Sequence, residues 1–166
     1  GVILARLQPI HNGHLNLIKQ AYDECDEIYV FIGSADKFNE RNPLPINLRI
    51  QLAECAINES FDKKDKINIL PVDDLTNEDD NSHDWGFYLY SKIVSATNNP
   101  YFTIYYSDGF EIITTWFPSF ILRNNISLKL IARNSVMSGI SATEIRKMIV
   151  DENKNELINW VPTIVV

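Results

Sequence analysis

ARLQPIHNGHLNLIKQ, residues 5–20, decides the fold. It closes an apolar run that begins at Val2 (VILARL, 2–7). It then leads into apolar positions Leu15, Ile18, Tyr22 and Cys25 at helical spacing. A short apolar run followed at once by a helix is the opening of a strand–helix–strand unit. The turn between them carries two of the chain's three histidines, His11 and His14, separated by Asn12 and Gly13.

Outward from that turn the pattern repeats. EIYVFIGS (27–34) predicts a second strand, and a polar loop with two prolines, ADKFNERNPLP, leads to a helix over 46–59. INILPV (67–72) predicts a third strand and DDLTNEDDNSHD (73–84) an acidic loop before a helix from Trp85 to Ala96. YFTIYYS (101–107) and SLKLIA (127–132) predict two more strands, and SATEIRKMIV (141–150) a last helix. Strands alternating with helices imply an α/β fold: a Rossmann-like parallel sheet of about five strands with helices on both faces. Such sheets take ligands beyond the carboxyl ends of their strands. His11 and His14, Asp36 and Arg41, the acidic loop, Asp108 and Ser141 all follow strands, so the polar residues gather where a site is expected.

The 166 residues suit one domain, 1–166, with a core that needs no staples. A net charge of −7 argues against nucleic acid as a partner, since such a surface is normally basic. No apolar run approaches bilayer length and no signal peptide is visible, so neither a membrane nor secretion is expected. Cys25 and Cys55 fall on apolar helix faces and read as reduced core residues of a cytoplasmic protein. Gly1 opens almost inside an apolar run and the chain stops at TIVV, and two readings of these ends stay open: artificially chosen boundaries, or a domain cut from a longer chain. The apolar tail WVPTIVV (160–166) is expected to be buried, against the sheet edge or against a second copy in a homo-oligomer.

In HNGH, Gly13 lets a ligand approach the backbone closely, and a helix start supplies free N–H groups and a positive dipole end. Two imidazoles there add donors for phosphate oxygens. The bland reading makes Asn12 a helix cap beside two incidental histidines. A zinc pair is disfavoured, because no Cys, Asp or Glu lies within four residues, and no metal ligands are assigned. SATE offers Ser141 and Glu144 as a capping box. Arg146, in the second turn of that helix, makes better sense beside a bound anion, and arginine suits bidentate phosphate contact. In NSHDW (81–85), Trp85 is either core or a flat platform for a ring, Asn81 can hydrogen-bond a carboxamide, and His83 reads as exposed. In RNPLPINLR (41–49), Arg41 and Arg49 are surface residues by default, with Arg49 placed to reach phosphate.

HNGH and ISATEIR together resemble the HxGH and ISxTxxR signatures of the nucleotidyltransferase superfamily. ARLQPIHNGH resembles the GRFQPFHNGH opening of archaeal-type nicotinamide-nucleotide adenylyltransferases, including Nudix-fused forms. IGSADKFNERNPLPINLR resembles that family's IGSAxxSHTxxNPFTxxER. The likeness covers residues 1 to about 150. It implies transfer of AMP from ATP to nicotinamide mononucleotide with Mg²⁺, giving NAD and pyrophosphate, and it admits a fused Nudix domain in a longer chain. It implies catalytic roles for His11, His14 and Arg146. It places Arg6, Gln8, Gly13, Ser141 and Thr143 at ATP, and Arg49, Asn81 and Trp85 at the nicotinamide nucleotide. The sequence departs from the pattern at Ala5, at Phe38 and Asn39, at Leu48, and in the N-x-x-x-W spacing of Asn81 and Trp85. Siblings with pantetheine-phosphate, FMN or glycerol-phosphate as acceptor stay open, as does a non-catalytic nucleotide-binding module.

Overall fold

A computed structural model describes residues 1–132, 142–151 and 161–162. Five parallel strands, β1 (Val2–Ala5), β2 (Ile28–Ile32), β3 (Ile67–Pro71), β4 (Phe102–Ser107) and β5 (Ile126–Ile131), form one sheet in the order β3-β2-β1-β4-β5. The order reverses at β1, so the crevice beyond its carboxyl end, between β1 and β4, is where ligands of such sheets sit. The helices are α1 (Asn12–Glu24), α2 (Ile46–Ser60), α3 (His83–Thr97), α4 (Ile113–Trp116), α5 (Ser119–Asn124) and α6 (Ala142–Val150).

Two apolar layers flank the sheet, and strand alternation assigns each residue to one of them. Ile3, Val30, Ile32 and Tyr105 point into one layer with Leu17, Ile18 and Ala21 of α1 and Ala53, Ala56 and Ile57 of α2. Val2, Phe31 and Ile104 point into the other with Leu89 and Ile93 of α3, Ile113 of α4 and Ile121 of α5. The expected Rossmann-like architecture is present, with each strand within two residues of its predicted ends. The segment between β4 and β5 holds two short helices that the periodicity does not announce. Gly86 lets α3 and α4 close up: a Cβ there would fall 1.9 Å from the Trp116 carbonyl oxygen. Among the described residues, Cys25 and Cys55 are free thiols on half-buried positions. Of the apolar tail, Val161 and Pro162 are described and both are buried.

Candidate active site

A cavity of about 570 Å³ opens beyond the carboxyl ends of the strands, within the usual range for small-molecule sites. One group of its walls is polar and cationic: Arg6, His11, Gly13, His14 and Arg146. Another is aromatic and apolar: Trp85, Trp116, Phe110, Ile112 and Ile113, with Asn81 beside them. The acidic loop contributes Asp74, Glu78 and Asp79.

The histidine turn is a reciprocal cap. His11, not Asn12, is the N-cap of α1. Its Nδ1 accepts the Gly13 N–H at 3.1 Å, and the His14 Nδ1 accepts the His11 N–H at 3.1 Å. Two of the orphan donors at the helix start are thereby satisfied. Because both Nδ1 atoms accept, each neutral ring carries its proton on Nε2. Gly13 is required for close approach: a Cβ there would lie 2.8 Å from the His11 ring.

Arg146 reaches from α6 to the end of β1. Its Nη1 donates to the Gln8 carbonyl at 2.7 Å and its Nη2 to the Thr143 hydroxyl at 3.3 Å. Burial, then the nearby Arg6, push Arg146 below the usual arginine range. Two guanidiniums held close enough to repel each other are stabilised by an anion between them. Arg6 itself donates to the Glu78 carbonyl at 3.2 Å. Ser141, expected at the triphosphate, lies outside the described residues; Thr143 is exposed on α6.

Two residues expected at the ligand, Arg49 and Gln8, turn their side-chain polar groups to backbone, and of the two only Gln8 lines the cavity. Arg49 is 0% exposed and does not line the cavity. Its Nη1 donates to the Arg6 and Gly33 carbonyls at 3.0 and 2.9 Å, and its Nη2 to the Ser34 carbonyl at 3.0 Å. Burial, then Arg6, lower its pKa. These bonds grip the chain where Leu7 and Ser34 adopt left-handed backbone, φ 52° and 48°, a conformation that non-glycine residues hold only when their surroundings impose it. The geometry makes Arg49 a brace beneath the strand ends, with its fork on backbone rather than open to phosphate. Gln8, 2% exposed, spends its amide likewise: Nε2 donates to the Leu44 carbonyl at 3.2 Å and Oε1 accepts the Leu44 N–H at 2.9 Å. It docks the β2–α2 loop as a strand partner would.

Trp85 is a core residue that also reaches the cavity wall. It is 9% exposed, belongs to the core layer under α3 and still lines the cavity. Ser82 caps α3, its hydroxyl accepting the Trp85 N–H at 3.2 Å, so Trp85 is placed by the helix start. Asn81 is exposed at the rim, and His83 is exposed and absent from the lining. Arg41 lies at the mouth, paired with Asp79 at 3.0 Å and Glu78 at 3.4 Å. Glu78 also accepts from Asn39 and Asn42 at 2.6 and 2.9 Å, latching the β2–α2 loop to the acidic loop. Asp74 accepts the Ser34 hydroxyl at 3.0 Å, and burial raises its pKa. Sequence reasoning missed Trp116. It sits on a four-residue helix with no periodicity, and its Nε1–H donates to Asn81 Oδ1 at 3.2 Å. Among the described residues no group of three His, Cys, Asp or Glu is disposed to hold a metal ion, and no helix is long and apolar enough to cross a membrane.

A cytidylyltransferase-like family model matches residues 5–148. The chain belongs to that family. Curated relatives carry the name that the sequence motifs suggest. The nicotinamide-nucleotide adenylyltransferase of Thermococcus kodakarensis is 26% identical over 157 residues, covering 91% of this chain and 72% of the relative. That of Pyrococcus furiosus is 31% identical over 77 residues, covering 45% and 41%. Among solved structures, a bifunctional NMN adenylyltransferase/ADP ribose pyrophosphatase from Francisella tularensis, complexed with AMP and Mn ion, has a TM-score of 0.67 at 24% identity. The match covers 90% of this chain and 41% of that one. Plasmodium falciparum nicotinic acid mononucleotide adenylyltransferase, complexed with NaAD, has a TM-score of 0.62 at 19% identity, covering 98% and 90%. The matches to the P. furiosus and F. tularensis proteins thus span less than half the length of each. The structural likenesses share the Rossmann-like fold described above.

Proposed function

We propose that this chain is a nicotinamide-nucleotide adenylyltransferase, its residues 1–166 forming one adenylyltransferase domain. The observation that carries the reading is the two-ended cavity. A cationic end built on a helix start and two arginines suits a triphosphate, and an aromatic end with an amide at its rim suits a flat carboxamide ring. The names of the archaeal relatives support the same substrates.

In this reaction a 5′-phosphate oxygen of nicotinamide mononucleotide attacks the α-phosphorus of ATP in line. One P–O bond forms, the bond to the bridging oxygen of the β-phosphate breaks, and pyrophosphate leaves. The nucleophile is already an anion, so no strong base is needed. The protein's work is to hold two polyanions together and to stabilise charge as it builds on the α-phosphate. His11 and His14 would donate from Nε2, the only proton-bearing nitrogen their capping bonds leave on a neutral ring. Arg6 and Arg146 would bracket the phosphates, and Gly13 would let them approach the helix start. The described residues do not form a cage for Mg²⁺. In this proposal it arrives as the counter-ion of the ATP phosphates, and no step is routed through a protein-held ion. Trp85 would stack on the nicotinamide and Asn81 would bond its carboxamide. The free thiols suit a reducing compartment, and we place the reaction in the cytoplasm.

The test is to incubate the protein with ATP, Mg²⁺ and, in turn, nicotinamide mononucleotide, nicotinic acid mononucleotide, pantetheine phosphate, FMN and glycerol phosphate, identifying products by mass. NAD with stoichiometric pyrophosphate is expected. A product from another acceptor alone, or none at all, overturns the reading.

A further inference from the structure

Trp116 belongs to none of the motifs that carry the family resemblance, yet three contacts converge on it. Its carbonyl oxygen is seated against Gly86, in space that any side chain at residue 86 would occupy. Its indole meets Trp85 edge to face, with ring centroids 5.8 Å apart and planes at 79°. Its Nε1–H donates to Asn81 Oδ1 at 3.2 Å. The first two contacts fix where the indole stands, and the third uses that position. Trp116, Trp85 and Asn81 all line the same cavity.

An indole nitrogen can donate but cannot accept. The Asn81 atom facing Trp116 must therefore be the carbonyl oxygen, and the NH₂ occupies the other branch of the amide. We infer that Trp116 is a positioning residue: it locks the Asn81 amide in the orientation that presents a donor, so the acceptor end of the cavity recognises an oxygen of the ligand. The inference rests on the proposed function. For nicotinamide mononucleotide it assigns Asn81 to the carboxamide oxygen and not to the carboxamide NH₂. A free Asn amide could flip to suit either group; one held by an indole cannot without losing the bond.

Calorimetric titration of the full chain with nicotinamide mononucleotide, and separately with ATP, tests this. Asn81→Asp keeps an oxygen for Trp116 and places a second oxygen where the NH₂ was; it should weaken nicotinamide mononucleotide binding by roughly tenfold or more and leave ATP binding unchanged. Trp116→Phe keeps the ring and removes only the N–H; it should weaken the same ligand by about three- to tenfold, raising its KM while kcat at saturation stays within about twofold. In an Asn81→Ala background, Trp116→Phe should add no further loss, because the amide it positions is gone. A general packing role would instead give the same loss in both backgrounds and would move ATP binding too, which overturns the inference. So would an Asn81→Asp variant that binds as tightly as the unaltered chain. If the unaltered chain itself fails to bind nicotinamide mononucleotide, the functional reading falls and this inference with it. Normal binding with an unmoved Trp116→Phe defeats the inference alone.

Discussion

The imidazoles of His11 and His14 lie stacked, centroids 3.8 Å apart and planes 26° from parallel, each taking through Nδ1 a backbone N–H of the turn they share. Ring position, tautomer and helix start are thus set by one small network. His14→Ala and Arg146→Ala should each lower turnover by about 10²–10³-fold, the usual effect of losing one donor to a transition-state oxyanion. Far-ultraviolet circular dichroism should stay native. Near-normal kcat in either folded variant would defeat the phosphate assignment.

Arg49 predicts a loss of stability rather than a selective loss of binding. Arg49→Ala strips three backbone carbonyls of their donor beneath the sheet, and the destabilisation should be about 3–5 kcal/mol. Arg49→Lys should recover little of it, because a point ammonium cannot reproduce a planar fork over three acceptors. Urea unfolding measures both. A variant that unfolds at the same midpoint as the parent chain but has lost nicotinamide mononucleotide affinity would return Arg49 to the ligand.

Trp85 should report on both of its surroundings. Trp85→Ala should lower stability by about 3–5 kcal/mol as a buried aromatic and weaken nicotinamide mononucleotide by about 1–3 kcal/mol through lost stacking. ATP binding should hold in the folded fraction. Trp85→Phe should restore part of each loss, since a flat ring survives. Equal losses for the two substrates would confine Trp85 to the core.

Asp74 predicts a pH effect whose sign follows from its raised pKa. Burial is the main cause; the carboxyl is 7% exposed, and Oδ2 has no hydrogen-bond partner. A folded-state pKa above the unfolded one means that the native state binds the proton more tightly. Its contribution to stability is therefore present in acid and lost as pH rises through the folded value. Asp74→Asn should raise the thermal midpoint at pH 7, and the two proteins should converge below about pH 3.5, under the ordinary aspartate range. A fixed difference across the titration would exclude this origin.

The fold was legible because alternation along the strands is uncompromised. Val2 and Ile3, or Ile104 and Tyr105, are neighbours that bury on opposite faces, which only a sheet covered on both sides requires. The cationic end of the site was legible for a related reason: HNGH and ATEIR each lie at a helix start, where local sequence already decides the geometry. The brace and the far wall were not. An arginine in the first turn of a helix after a Pro-bearing loop gives no sign that it will be swallowed whole, because the carbonyls that receive Arg49 lie 15–43 residues away in sequence. Gln8 mimics a strand partner for a loop 36 residues on, which no periodicity records. Trp116 stands on a helix of four residues, too short to show a period, and its position depends on the absence of a side chain at Gly86.

The brace also has an electrical consequence. Where the chain leaves β1 and β2, the carbonyl oxygens of Arg6, Gly33 and Ser34 lie past the last paired residues, each a partial negative charge. A phosphate laid there would meet the wrong sign. Arg49 draws the Arg6, Gly33 and Ser34 carbonyls onto a single buried cation, and the ground under the ends of β1 and β2 changes polarity. The chain carries seven more negative than positive charges, and Asp74, Glu78 and Asp79 line the same cavity, so room for a polyanion here rests on cations placed locally: Arg49 beneath the strand ends, and Arg6 and Arg146 in the wall.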